Sequence, residues 1–461
     1  MNLFRNLICF VNDNDPMVPE IWAQESLAIL EENMVAARLV HRDFSPLVAQ
    51  FGDVVNTRRP SEFTTKRKTA TDSVVNQDAI VTNVPVALNQ HVYVSFTIKD
   101  SEASLAMQDL VDMYMQPAAM QLARSVDRIL LGQAHKFWAN KVGRLAEMTS
   151  SNAKDFVLDA REKMNVNKAY PNGRNLILSP NSETAMLKTE LFIAAQQRGD
   201  SGVALEDARL GRILGFDTYM DQNVPYRALT GADVATGNHT SGAAIGDTGN
   251  HAFTSSYTVK VGEYVWITGE GQPHRITALT GTTTGITLNE PYRNVVAPNA
   301  VAQIYKAAKV EGAYAAGYQK GITLNTITSS LLPVVGQVLS FGTTTRSTYT
   351  IIEIDAVSAT SVIVWLDRPL TVLLSDADWA FPGPHGSWNL AFHKDALALV
   401  TRPLALPSQA LGVRAAVGSY NDLAMRVAMQ YNIASQGTVV TLDMLCGVAL
   451  LDANLGCIML G

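Results

Sequence analysis

Between residues 261 and 381 the chain repeats itself, and this repeat limits its possible folds more than any other feature. VGEYVWI, starting at Val261, is matched by VGQVLSF at Val335, and ITLNEP at Ile286 by VWLDRP at Val364, across a slightly different gap. Each copy reads as strand, turn, strand, turn, strand, with Gly and Thr at the turns. A solenoid needs at least about three repeats to bury a continuous core, so two copies predict two small β-modules in tandem. The 461 residues leave room for two or three packed regions in all.

Upstream, the pattern changes to helical spacing. In IWAQESLAILEENMVAA, residues 21–37, Ala23, Leu27, Leu30 and Met34 share one side, with Glu25 and Glu32 on the other. Asp13, Asp15, Pro16 and Pro19 lead in, which predicts a short acidic amphipathic helix on a flexible arm. Residues 51–100 are rich in Thr, Ser and charge, with Arg58, Arg59, Lys66, Arg67 and Lys68 close together. They end in HVYVSFTIKD, where Val92, Val94, Phe96 and Ile98 alternate with polar residues as in a strand. Two extended strands with a basic tip make a long hairpin, which is marginal alone in water and needs a surface to lie on.

Residues 101–137 read as the clearest helix, with Met107, Val111, Met115, Leu122, Val126 and Ile129 on its apolar face. Pro117 is expected to kink or split it, and Gly132 to break it late. Residues 151–250 read as mixed α/β. They hold a buried strand NLILSP, a helix around residues 183–197, the segment GRILGFDTYMDQNVP, and an exposed loop of Gly, Ala, Thr and Asn at 230–250. After the repeat, NLAFHKDALALVTRPLALP leads into a β-rich tail at 413–460.

Catalytic patterns do not stand out. No Walker A, G-x-S-x-G or H-E-x-x-H pattern occurs. Gly269-Glu270-Gly271 is followed by Pro273-His274 where a dinucleotide loop would begin its helix, so it reads as a β-turn. Of eight histidines only His385 and His393 are close, and no motif spacing supports them as ligands. No catalytic residue, metal or other cofactor is expected. Cys9, Cys446 and Cys457 are too few and too scattered for a disulfide framework, which predicts a cytoplasmic, reducing compartment. The apolar stretch 439–460 is cut by Asp443 and Asp452, so no membrane span is expected.

Lys and Arg total 36 against 42 Asp and Glu, a net charge of −6 that argues against a dedicated nucleic-acid binder. Only 17% of residues are charged, below the usual ~25%, which leaves unusually little solvating surface. The basic cluster reads either as a solvated loop tip or as a docking tip for an acidic surface. The arm supplies a candidate surface in Asp13, Asp15, Glu20, Glu25, Glu31 and Glu32. Nucleic acid is a third reading, short of stacking aromatics apart from Phe63.

The order of these parts resembles that of tailed-phage major capsid proteins. LGFDTYMDQNVP at Leu214, NLAFHKDALALVTRPL at Asn389 and VSFTIKDSEASL at Val94 are similar to segments of that family. VGQVLSF through VWLDRPL is similar to the inserted domain of its podovirus-type coat proteins. The resemblance implies an α+β capsid fold with inserted β-rich modules. It assigns an N-terminal arm to 1–50, an extended loop to 51–99, the spine helix of a peripheral domain to 100–150 and the first part of an axial domain to 151–250. The β-modules follow at 251–310 and 311–385, then late strands of the peripheral and axial domains at 386–461. The doubled insertion departs from the family pattern.

The implied function is structural, not enzymatic: assembly through pentamers and hexamers into an icosahedral shell enclosing double-stranded DNA. Expected partners are further copies of the chain, a scaffolding protein, a portal protein, a decoration or cement protein, and DNA held non-specifically on the inner surface. The expected location is the virion, after assembly in the host cytoplasm. Inter-subunit contact would fall to Arg58, Arg59, Lys66, Arg67 and Lys68 on the loop and to Asp13, Asp15, Glu25, Glu31 and Glu32 on the arm. Lys66 and Lys68 lie in the region where some members carry a cross-linking lysine. That reaction needs a buried Glu, none is assigned, and no cross-link is expected. Two rival readings are another virion or surface-layer structural protein with β-modules, and a hydrolase with β-sandwich accessory modules.

Overall fold

The computed structural model describes the chain apart from residues 1–17, 45–53, 60–62, 64, 72, 75, 79–81, 101–113, 144–147, 190–207, 209, 225–233, 248–250, 256, 271, 281–284, 319, 326–332, 334, 336, 342–346, 357, 359, 384–385 and 408–411. Its contacts divide it into two units, one of residues 1–34, 42–126 and 398–451, the other of 35–41, 127–397 and 452–461.

In the first unit the helical spacing near the start of the chain becomes α1 (Val18–Asn33). Ala23, Leu27 and Leu30, with Met34 just beyond, are buried together, as residues three and four apart on a helix must be. Their cover is β22 (Arg414–Tyr420) and β23 (Leu423–Asn432). Gly418 on β22 permits the approach, since a Cβ there would stand 3.0 Å from the carbonyl oxygen of Ala23. The helix expected on a flexible arm is therefore seated on its own chain's sheet, because its apolar stripe demands cover.

That sheet runs β21 (Leu397–Arg402), β24 (Gly437–Leu450), β23, β22, with β3 (Gln90–Lys99) also paired to β24. Val92, Val94, Phe96 and Ile98 are the more buried of the alternating residues of β3. The hairpin is narrower than expected: β1 (Val54–Arg59) pairs antiparallel with β2 (Thr82–Ala87). The predicted second hairpin strand at 91–100 belongs to the sheet instead, as β3, because its apolar face and its β24 partner place it there. Val55 and Val86 anchor the root of the hairpin in a cluster with Phe44, Ala398 and Val400.

Helix α3 (Gln116–Leu131) begins in the first unit and ends in the second. Met115, Leu122, Val126 and Ile129 are buried; Met107 and Val111 lie outside the described residues. Pro117 is the second residue of α3, and Tyr114 and Met115 just before it are π-helical. Regular α-helical geometry thus gives way beside the proline, and residues 101–113 lie outside the described residues. A 3₁₀ stretch follows at Gly132–Asn140, the break expected at Gly132.

The second unit adds α2 (Ala36–Leu39) and a mixed sheet in the order β4 (Lys141–Gly143), β25 (Gly456–Leu460), β20 (Trp388–His393), β5 (Arg174–Leu178), β7 (Phe216–Met220), β6 (Arg212–Ile213). Phe156, Val157, Ala160 and Met164 of α4 (Ala153–Val166) share its core with Leu176, Phe216 and Met459, and Met186 of α5 (Pro180–Leu187) joins them.

The repeat folds as two closed six-stranded barrels. The first contains β8 (Val234–His239), β9 (His251–Ser255), β10 (Tyr264–Ile267), β11 (Pro273–Thr280), β12 (Gly285–Leu288) and β13 (Ala300–Tyr305). The second contains β14 (Ala308–Glu311), β15 (Ile322–Asn325), β16 (Val338–Phe341), β17 (Ser347–Ala356), β18 (Val362–Leu366) and β19 (Trp379–Pro382). Their cycles are β10-β11-β12-β9-β8-β13 and β14-β15-β18-β17-β16-β19. Matching β8 to β14 and so on in chain order turns one cycle into the other, so the repeat in sequence is a repeat of topology. Even the left-handed residues correspond, Asn299 at φ 61° and Ala377 at φ 65°.

Strand β8 lies where an exposed loop is expected. Ala235, Gly237 and His239 are buried and alternate with exposed residues, but such small side chains carry little apolar signal. The first barrel begins there, at Val234, and not at residue 251.

Both barrels attach to the stretch 132–143. For the second, Thr350 Oγ1 donates to the Gly132 carbonyl and Gln133 Nε2 donates to Asp367 at 3.1 Å. For the first, Lys141 pairs with Glu290 at 2.7 Å, Arg293 donates to the Lys141 carbonyl and Gln272 to that of Gly143. Asn289 and Asp367, equivalent in the repeat, each accept a backbone amide at 2.8 Å, from Arg275 and Thr350. Asp367→Asn is therefore expected to be mild, about 1 kcal/mol by urea unfolding. The amide keeps the Thr350 bond, Gln133, whose Oε1 has no partner among the described residues, can flip to accept from the new NH₂, and the partly exposed Arg368 that also binds this carboxylate can turn to solvent.

Candidate assembly surfaces

The β1–β2 hairpin divides into a packed root and an open tip. In the root, Val54 faces Ala87 and Asn56 Oδ1 accepts from Asn83 Nδ2 at 3.0 Å. Arg58 and Arg59 lie at the far end of β1, in register with Asn83 and Thr82. Beyond them Lys66, Arg67 and Lys68 are exposed, and so are Phe63 and Val74. Three adjacent cations on an extended element raise the local positive potential without a buried partner to satisfy.

The acidic residues are placed differently. Glu25 and Glu32 are exposed on α1. Glu31 is half-buried and accepts a 2.6 Å hydrogen bond from Asn421 Nδ2, in the turn between β22 and β23. Asp13 and Asp15 lie outside the described residues. Apolar residues that sequence reasoning passed over join the surface at the sheet's turns: Tyr420 beside the β22–β23 turn, Tyr431 and Ile433 at the β23–β24 turn. The signal was present in Tyr-Asn-Asp-Leu, since Asn421 and Asp422 hold φ 50° and 59° as a type I′ hairpin turn requires.

A family model, described as P22 coat protein - gene protein 5, matches residues 12–247. The chain belongs to the P22 coat protein family. It is a structural subunit of a phage coat, which self-associates into the capsid of the virion; its work is assembly and not catalysis.

The matched span holds α1, the hairpin, β3, α3 and β8 and ends inside the first barrel. Among curated proteins none matches this coat protein. Solved structures similar to it include a chain of Mycobacterium phage Che8, at 12% identity and a TM-score of 0.44 over 92% of this chain and 90% of that one. The capsid structure of the cyanophage P-SCSP1u is similar at 10% identity and 0.41, over 89% and 84%. That of the bacteriophage PhiM1 mature capsid stands at 9% and 0.38, over 88% and 81%.

Other polar groups of the coat protein serve the fold. Asp443, which interrupts the apolar tail, is buried on β24 and receives Arg426 from β23 and His91 from β3. His393 Nδ1 accepts the amide of Asp395 at 3.2 Å and so caps a 3₁₀ turn; His385 lies outside the described residues. Among the described residues, no group of three His, Cys, Asp or Glu side chains converges on a metal position. A half-open groove of about 520 Å³ is lined by Arg42, Phe44, Thr401, Arg402, Asn421 and Asp422 among others.

Proposed function

We propose that the coat subunit closes an icosahedral shell of pentamers and hexamers around double-stranded DNA, and that its β1–β2 hairpin reaches a neighbouring copy. The observation that carries this reading is the division of the hairpin, with Val55 and Val86 packed at its root and Lys66, Arg67 and Lys68 exposed at its tip. Glu25 and Glu32 on α1 offer a surface of opposite sign, with Arg58, Arg59, Asp13, Asp15 and Glu31 extending the two sets. Exposed pairs contribute about 0.2–1 kcal/mol each, so one contact is weak and its repetition over a shell is not. Modest interfaces of this kind let misplaced subunits leave before the shell closes.

In this reading, residues 1–50 are the arm, 51–99 the extended loop, 100–150 the spine region and 151–250 with 386–461 the axial and remaining peripheral parts. The barrels are inserted modules. A charged share of 17% suits a subunit that buries several faces against neighbours. A scaffolding protein, a portal protein and a decoration or cement protein complete assembly in the host cytoplasm, and DNA meets the inner face without sequence preference.

Deleting residues 60–71 is expected to leave a subunit with unchanged circular dichroism and unfolding midpoint that forms no shells in sedimentation and negative-stain imaging. Normal shells from the deletion would overturn the role given to the hairpin.

A further inference from the structure

The two barrels share a topology yet differ at four corresponding interior positions. The backbone fixes the correspondence. The amides of Asn299 and Ala377 donate to the carbonyls of His239 and Val310. Ile286 faces His251 across the strands as Val364 faces Ile322. Ile276 and Ile351, two residues after His274 and Tyr349, donate to the carbonyls of Glu263 and Gln337. Gly246 and Gly317 donate to those of Tyr292 and Leu370. Where the second barrel holds Val310, Ile322, Tyr349 and Leu370, the first holds three histidines and a tyrosine.

These four rings form one cluster, each at most 2% exposed. The ring of Tyr292 meets His251 at 4.7 Å, His274 at 5.3 Å and His239 at 6.1 Å, edge-on each time, and His239 lies 5.1 Å from His251. Both nitrogens of His239, Nε2 of His251, Nδ1 of His274 and the Tyr292 hydroxyl have no hydrogen-bond partner among the described residues. Tyr292 touches all three imidazoles, and no metal position emerges from them. Protonation is the chemistry left to so many open ring nitrogens.

We propose that the first barrel is an acid-responsive element that opens on acidification while the second barrel, of the same fold, stays closed. Burial holds His239 and His251 below the ordinary histidine range, and the nearness of a second imidazole to each acts in the same direction. Asp247 opposes this for both, and Glu270 faces the cluster with its carboxylate bound to His274 and to the amides of Arg293 and Asn294. From the other strands, β12 brings no titratable side chain. Tyr264 of β10 and Tyr305 of β13 alternate with the inward Val265 and Ile304 and so point away. The closed barrel thus binds fewer protons than the opened one. Its stability is full at neutral pH and above, and is lost as pH falls below about 6.5, by up to tenfold per histidine per pH unit.

The test is hydrogen–deuterium exchange on the full chain at pH 7.5, 6.0 and 5.0, expressed as protection factors so that intrinsic rates cancel. Peptides of β14 and β15 serve as the reference, because β17 carries Thr350, which touches another imidazole, the half-buried His135. Protection of β8, β9 and β11 is expected to fall at least tenfold relative to that reference between pH 7.5 and 5.0. The variant His239→Val/His251→Ile, which copies the second barrel, is expected to lose most of the difference. An equal acid response in both barrels, or an undiminished one in a folded variant, would overturn the proposal. If the variant does not fold, the comparison of the two wild-type barrels decides alone.

Discussion

Replacing Gly447 by valine is expected to release the β1–β2 hairpin from the sheet while both barrels stay folded. Gly447 lies on β24 where the chain passes from the hairpin into β3. A Cβ there would stand 2.3 Å from the carbonyl oxygen of Ala87, 2.9 Å from its carbonyl carbon and 3.2 Å from the Cα of Leu88. All three are backbone atoms, so no side-chain rotation relieves the overlap. Gln90 pairs with Cys446 beside the glycine, which leaves the junction no room to slide. Lifting it uncovers Val55 and Val86 at the hairpin root. Overpacking that side chains can absorb costs about 1–3 kcal/mol; against fixed backbone the cost is on the order of 4 kcal/mol or more. Limited proteolysis should then cut within the root strands β1 and β2 in the variant, whereas cutting in the wild type stays at the exposed tip, and shells should fail to form. Equal cutting in both would show that the strands absorb the methyl groups elsewhere.

What could be read in advance followed from periodicity. Ala23, Leu27, Leu30 and Met34 announced the buried face of α1, and Val92 to Ile98 that of β3, because each element has one wet and one dry side. Periodicity did not say what would lie against those faces. The acidic helix looked like an arm until β22 and β23 were seen to cover it, and β3 looked like half of a hairpin until β24 was seen to claim it. Partner choice depends on residues more than 300 positions away, which no local pattern encodes. β8 failed for another reason, since an alternation of Ala, Gly and His looks like a loop by composition. The histidine cluster was invisible because three residues on three strands meet only after the barrel closes. The basic tip could be read from sequence alone because exposure needs no partner.

Glu290→Ala is expected to cost about 3–5 kcal/mol, and the double variant with Lys141→Met to recover most of it. The Lys141 side chain is fully buried, 2.7 Å from a Glu290 carboxylate that is itself 26% exposed, with the Trp138 ring 4.5 Å from its ammonium. Burial pulls the lysine below its ordinary range and Glu290 holds it up. Without the carboxylate, the ammonium must either stay charged in a dry place or shed its proton on folding. The folded variant then binds fewer protons than the unfolded chain, so its deficit is largest at low pH and shrinks as pH rises from 6 to 9. Methionine fills the same channel without a charge, and Glu290 can turn to solvent. A coupling below about 0.5 kcal/mol in the double-mutant cycle would show that the pair does not hold the barrel. The duplicate gives the pair a second meaning. At the position equivalent to Glu290 the second barrel carries Arg368, beside an Asp367 that binds Gln133. Lys141 pairs with the acidic residue of the first barrel, and an arginine in that place would set two cations against each other. Glu290→Arg, which copies the second barrel, is therefore expected to be worse than Glu290→Ala, because it adds repulsion to the loss of the pair.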